Sequence, residues 1–337
     1  MKLGYKDISA AVLGAAYTEE TDGKIYFHRF TKEQESYYLK TQSDFYEKTF
    51  ATAGIRLYFK TNSKSLKLAG EIVFKSSRRY YSADVFVNGK MVDSINKYEG
   101  LHIENPYHIM ALPAGSFSKE TDLGEGDKVV EIYLPWSASL SLSELSLDDG
   151  AYFTPLKKNR SLLAFGDSIT HGYDSLYTSA GYVQKLADRI GAELYNKAIG
   201  GEVFCPDLAK LKDEFTPDLI TVAYGTNDFS HKPRQEFREN CKNFYENLRK
   251  LYPETPIFAI TPIPRIDSIC NEIFGKHSDV EPIIAEIVAK IPNVILISGY
   301  DLFPCDENLF GDLVLHPNDK GFTCYAENLL KKMEKYL

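Results

Sequence analysis

Four fragments of the sequence carry the residue types that acyl transfer needs. In SLLAFGDSIT an apolar run ends at Gly166 and Asp167 and then presents a hydroxyl, Ser168. A serine hydroxyl is a poor nucleophile at neutral pH, so it needs a neighbouring base, and a turn just past a strand leaves Oγ open to one. Among seven histidines the candidate base is His316, in GDLVLHPNDKGF, between a short apolar run and an amphipathic C-terminal segment. Attack on an ester also requires hydrogen-bond donors where the oxyanion develops. Gly201, in NKAIGG, offers a backbone N–H that no side chain obstructs, and Asn227, in YGTND, offers a carboxamide. Each residue has an ordinary structural role as well: helix cap for the serine, tight turn for the glycine, Asx-turn for the asparagine.

These residues must be positioned by the elements around them. From residue 161 onward, short and nearly continuous apolar runs (SLLAFG, AELYNKAI, DLITVAYG, PIFAITP, NVILISG) alternate with helical segments. Tyr182, Val183, Leu186, Ala187 and Ile190 fall on one helical face that Gly191 ends. Phe237, Cys241, Phe244, Leu248 and Leu251 repeat that spacing, as do Val280, Ile283, Ile284, Ile287 and Ile291, and finally Phe322, Ala326, Leu329, Leu330 and Met333. Strands buried on both faces and alternating with helices predict a parallel sheet between two helical layers. In such sheets ligands bind beyond the carboxyl ends of the strands. Here those ends read Gly166-Asp167-Ser168, Gly200-Gly201, Gly225-Thr226-Asn227-Asp228 and Thr261-Pro262, which gathers the chemistry at one edge.

Residues 1 to about 155 follow a different period. GIRLYFKT, EIVFKS, ADVFVNGKMV, VVEIYLPW and SLSLSELSL alternate apolar and polar residues, with an Asn-Gly hairpin signal at VNGK and a glycine-rich loop at DLGEGDK. No long helical pattern interrupts them. This predicts an antiparallel β-sandwich of jelly-roll type over 1–155, followed by an α/β unit over 156–337.

Taken in order, FGDSIT, the glycine of NKAIGG, YGTND and LHPND resemble the four sequence blocks of the SGNH (GDSL-type) hydrolases. The resemblance covers residues 161 to about 325. It implies a flavodoxin-like α/β/α domain with a five-stranded parallel sheet. It also implies Ser168 as nucleophile and backbone oxyanion donor, Gly201 and Asn227 as the other donors, and His316 as general base. Asp167 and Asp228 match motif acids that stabilise turns. One position departs from the family: its triad acid usually stands three residues before the histidine, where this chain has Leu313, and the acid Asp312 lies four before. Either a bulge brings Asp312 to the imidazole, or a backbone carbonyl orients the ring and the site is a Ser-His dyad.

A β-sandwich joined to an SGNH domain is similar to bacterial carbohydrate esterases, which implies hydrolysis of O-acyl, foremost O-acetyl, esters on sugars. Tyr173, Tyr177 and Trp136 could then stack on a sugar ring, and Arg265 could line the pocket, although packing and a surface ion pair are their ordinary roles. A short-chain lipid or aryl esterase and an acyltransferase would use the same residues; a non-catalytic carbohydrate-binding protein would leave the full set incidental. Water, activated by the same histidine, would complete hydrolysis without metal or cofactor, since no ligand spacing appears.

The bulk numbers bound the remaining possibilities. A net charge of −8 with no basic tract opposes a nucleic-acid partner. No run approaches the roughly 20 apolar residues of a membrane span, and the N-terminus lacks a secretory apolar core, so a cytoplasmic protein without a membrane partner is expected. Homo-oligomerisation stays open. Five dispersed cysteines without a C-x-x-C pair predict reduced, mostly buried thiols.

Overall fold

The computed structural model describes residues 1–96, 111–267 and 270–337. Strands up to residue 155 form two antiparallel sheets. One has the order β1 (Val12–Leu13), β4 (Arg56–Thr61), β9 (Lys128–Tyr133), β6 (Asp84–Val87), β7 (Lys90–Ser94), with β11 (Phe153–Pro155) also paired to β4. The other has the order β2 (Tyr17–Thr21), β3 (Lys24–His28), β10 (Ala138–Leu147), β5 (Ser65–Phe74), β8 (Gly115–Asp122). Period-two alternation sends Leu57 and Phe59 of the first sheet, and Leu66, Leu68, Ile72, Leu140 and Leu142 of the second, into one buried core, which is the packing of a β-sandwich.

This part of the chain also contains helices, contrary to the expectation from its periodicity. They are α1 (Tyr5–Ala11), α2 (Lys32–Thr41) and α3 (Ser43–Thr49). The physical reason is that α2 buries Gln34, Glu35 and Tyr38, which are polar or amphipathic, so its inward face carries no apolar stripe to read. Its start is nevertheless written locally: Thr31 and Gln34 form a reciprocal capping box.

The second half is a parallel sheet with the order β13 (Ala192–Asn196), β12 (Arg160–Gly166), β14 (Leu219–Ala223), β15 (Ile257–Ile260), β18 (Val294–Ile297). A two-stranded ribbon, β16 (Cys270–Asn271) with β17 (Gly275–Lys276), lies off it. Side chains leave each strand alternately to opposite layers. Leu163, Phe165, Ile220, Val222 and Ile257 pack with α7 (Arg234–Leu251) and α8 (Val280–Val288). Leu162, Ala164, Leu219 and Phe258 pack with α5 (Tyr182–Arg189) and α9 (Asp319–Met333). Burial on both faces explains why the strands read as continuous apolar runs. The five cysteines are free, but only Cys241 is fully buried; Cys270 and Cys305 are exposed, which corrects the expectation of mostly buried thiols. No helix among the described residues is long and apolar enough to cross a membrane.

Candidate active site

The sheet order decides what meets at its carboxyl edge. The first strand, β12, lies between β13 and β14, so the segments that follow all three converge. Gly166 closes β12 where a Cβ would stand 2.2 Å from Thr170 Oγ1, so only glycine lets the chain turn there. Asp167 caps the one-turn helix α4 (Ser168–His171) by accepting from Ile169 N at 3.0 Å. Burial pushes its carboxyl up to about 6. Ser168 is the first residue of that turn, 6% exposed.

Ser168 Oγ lies 2.8 Å from His316 Nε2, and His316 Nδ1 lies 2.7 Å from Asp312 Oδ2. The extra residue between Asp312 and the family's usual spacing is accommodated by Leu313, whose φ of 62° is left-handed. That turn wraps the chain around the Asp312 carboxylate. Its Oδ1 accepts from the backbone N–H groups of Val314, Leu315 and His316 at 3.0, 2.7 and 3.0 Å. Burial opposes ionisation of Asp312, yet the hydrogen bond and charge of His316, with the backbone donors, hold its carboxyl well below the usual carboxylate range. His316 Nδ1 therefore meets a carboxylate in this structure.

A second carboxylate stands nearby. Asp174 Oδ2 is 3.7 Å from His316 Nδ1, beyond hydrogen-bonding distance. It is drawn away by Arg78, whose Nε and Nη2 donate to its two oxygens at 2.5 and 3.0 Å, and by Tyr80 Oη at 3.1 Å. Asp174, Asp312 and His316 place ligand-type atoms within 4.8 Å of one another, but Arg78 and the ring already use them.

The proposed oxyanion donors lie on adjoining segments. Gly201 has a φ of 94°, a conformation that favours glycine, and is exposed. Asn227 opens α6 (Thr226–His231) after β14, and its Nδ2 donates to Glu202 O at 3.0 Å, which ties the carboxamide to the residue after Gly201. Asp228 points the other way, accepting from Phe204 N at 3.1 Å, and burial pushes it up to about 7. The Glu202 carboxyl is buried against Tyr38 and Tyr224; burial pushes it up to about 8, against the pull of both hydroxyls.

The aromatic candidates are packed rather than open. Tyr173 is 4% exposed; its ring lies 5.7 Å from that of His316 and 5.0 Å from that of Trp136. Trp136 is 2% exposed and donates to Ser175 O, whereas Tyr177 is half-buried. Arg265 forms a two-bond pair with Asp267 at 2.8 and 3.0 Å and donates to Ser230 Oγ. It also lines a cavity of about 640 Å³ with His277, Tyr300 and Phe303.

Sequence reasoning missed Asp174, Arg78, Tyr80 and His171. His171 is buried, donates from Nε2 to Trp136 O (2.9 Å) and accepts at Nδ1 from Gly200 N (3.2 Å). Burial holds it neutral, which both bonds require. Nothing local marked these residues, because their partners lie 29 to 142 positions away: 171 to 200 is the shortest separation, and 174 to 316 the longest.

The fold and this arrangement are similar to those of SGNH-type hydrolases. Residues 164–323 match the model of the GDSL-like lipase/acylhydrolase family. A GDSL esterase/lipase of Arabidopsis thaliana is 28% identical over 127 residues, 31% of this chain; the match spans about half (51%) of that relative's length. The salicylyl-acyltransferase SsfX3 from a tetracycline biosynthetic pathway superimposes over 100% of this chain and 97% of its own, with a TM-score of 0.81 at 20% identity. A family two carbohydrate esterase from Clostridium thermocellum, in complex with cellohexaose, covers 85% of this chain and 93% of its own, with a TM-score of 0.63 at 16% identity. At these identities the two solved structures share the fold.

Proposed function

We propose that the protein is a serine ester hydrolase that cleaves O-acyl esters, foremost O-acetyl groups on carbohydrate, through an acyl-enzyme. The observation that carries this is the unbroken relay from Ser168 Oγ through His316 to Asp312, at 2.8 and 2.7 Å, beside the Asn227 carboxamide. His316 Nε2 takes the Ser168 proton as Oγ bonds to the acyl carbon. The charge that moves onto the carbonyl oxygen is met by the N–H groups of Ser168 and Gly201 and by Asn227 Nδ2. As the tetrahedral intermediate collapses, the C–O bond to the alcohol breaks and His316 returns the proton to it. Water, deprotonated by the same ring, then attacks the acyl carbon and the acid departs from Ser168. Asp312 fixes the Nδ1–H tautomer and stabilises the imidazolium.

Carbohydrate as the alcohol is supported by the shared fold of the Clostridium thermocellum esterase. Acyl transfer is the second reading, favoured by the whole-chain match to an acyltransferase. The two-unit organisation, a jelly-roll-like 1–155 and a hydrolase unit 156–337, belongs to the same proposal and is supported by the change from antiparallel to parallel pairing between β11 and β12. The test is a panel of p-nitrophenyl acetate, butyrate and octanoate with acetylated oligosaccharides, with and without an alcohol acceptor, on the parent and Ser168→Ala. Release of acetate that disappears in Ser168→Ala is expected. Full activity in Ser168→Ala refutes the assignment, and acylated acceptor exceeding free acid selects transfer.

A further inference from the structure

The loop that carries Gly201 has carbonyl groups that pair with no strand, and polar backbone groups in such a setting must find partners elsewhere. Most of those partners come from residues 29–48, far away in sequence. Arg29 Nη1 donates to Asn196 O at 2.7 Å and Ala198 O at 3.0 Å. Lys48 Nζ donates to Gly200 O at 3.0 Å. Tyr38 Oη donates to the Glu202 carboxyl, whose other oxygen accepts from Tyr224 Oη at 2.8 Å. Alternate residues 196, 198, 200 and 202 are thus each held by this one segment. The holders are fixed in turn, since Arg29 is fully buried and also donates to Ala51 O at 2.6 Å and Lys48 O at 2.9 Å. At the far end of the loop, Glu202 O receives Asn227 Nδ2.

We propose that Arg29, Tyr38 and Lys48 are positioning residues for the oxyanion donors, acting through the 196–202 loop on Gly201 N–H and Asn227 Nδ2. The α2–α3 segment is then part of the acyl-transfer machinery and not an accessory to it. The inference rests on the serine-esterase reading above. Donors of this kind act on charge that exists only in the transition state, so loosening them lowers kcat and leaves KM nearly alone.

The experiment compares Lys48→Met, Lys48→Arg, Tyr38→Phe and Ser168→Ala with the parent. It measures kcat and KM on p-nitrophenyl acetate, the inhibition constant of phenylboronic acid, which forms a tetrahedral adduct on a nucleophilic serine, and thermal melting. Outright loss of one oxyanion donor costs about 10²–10³ in kcat, so misplacement by a single lost tether is expected to cost about tenfold. Lys48→Met and Tyr38→Phe should show that fall with KM within about twofold, and the boronate should weaken by the same factor. Lys48→Arg, which keeps a donor, should restore most of the loss. The inference is overturned if folded Lys48→Met keeps parental kcat, or if kcat falls without weakening the boronate. Should Tyr38→Phe fail to fold, Lys48→Met, whose side chain is partly exposed whereas that of Tyr38 is fully buried, decides alone. Ser168→Ala with full activity would instead overturn the underlying esterase reading, and the inference with it.

Discussion

Two carboxylates compete for one imidazole nitrogen, and the structure says which should matter. Asp312 stands 2.7 Å and Asp174 3.7 Å from His316 Nδ1. At an effective dielectric of about 20, Coulomb's law gives the imidazolium about 6 kcal/mol from the nearer charge and about 4.5 kcal/mol from the farther. Charge alone therefore barely separates them. The separation comes from geometry: only Asp312 accepts the Nδ1–H, and Arg78 offsets the Asp174 charge through two hydrogen bonds. Asp312→Asn keeps an oxygen for the three backbone N–H groups of the loop but turns a donor amide toward Nδ1, or leaves the ring in the other tautomer. The expected loss in kcat is about 10³–10⁴-fold, which is about 4–5.5 kcal/mol of transition-state stabilisation. Asp174→Asn should cost less than about tenfold, which is about 1.4 kcal/mol. Steady-state kinetics on p-nitrophenyl acetate, with melting curves to verify folding, read both. If Asp174→Asn proves the more damaging, or Asp312→Asn retains more than a tenth of parental kcat, the assignment of the orienting acid is wrong.

Three further outcomes follow from the same geometry. Asn227→Ala should lower kcat by about 10²–10³ with a small change in KM, since it deletes one of the proposed oxyanion donors; an effect confined to KM would place the amide in ground-state binding. Gly200→Ala sets a Cβ 2.4 Å from the Tyr173 ring, which faces His316, so a stability loss of about 1–3 kcal/mol together with a fall in kcat is expected from urea denaturation and kinetics. Burial raises the folded-state values of Asp167 and Asp319 to about 6, Asp228 to about 7 and Glu202 to about 8. Such groups hold protons that the unfolded chain releases, so their contribution is full below the ordinary carboxylate range and is lost as pH rises through those values. Below the ordinary histidine range the buried neutral His171 and His277 act in the opposite sense, so the melting temperature should fall from pH 7 to pH 8.5, with Glu202→Gln flattening that slope; a melting temperature rising over that window would refute the protonation states.

What the sequence determined by itself was the alternation of buried strands and amphipathic helices in the second half and the residues at the strand ends. Continuous apolar runs and helical faces are local consequences of burial, and Ser168, Asn227 and His316 stand in short motifs whose order is legible without coordinates. The strands of the first half were legible for the same reason, through period two. Helix α2 was not, because Gln34 and Tyr38 face inward to bond with the distant Asp213 and Glu202 and Glu35 with His28, and that face looks polar from sequence. The contact between His316 and Asp312 could not be read from residue order. Leu313 takes a left-handed conformation that residue type does not favour, and three backbone N–H groups closing on Asp312 stabilise it there. Likewise, Arg78 meets Asp174 across 96 positions and Arg29 meets Ala198 across 169. Such bonds depend on where two sheets come to rest against each other, and a pattern of period two or 3.6 carries no information about that.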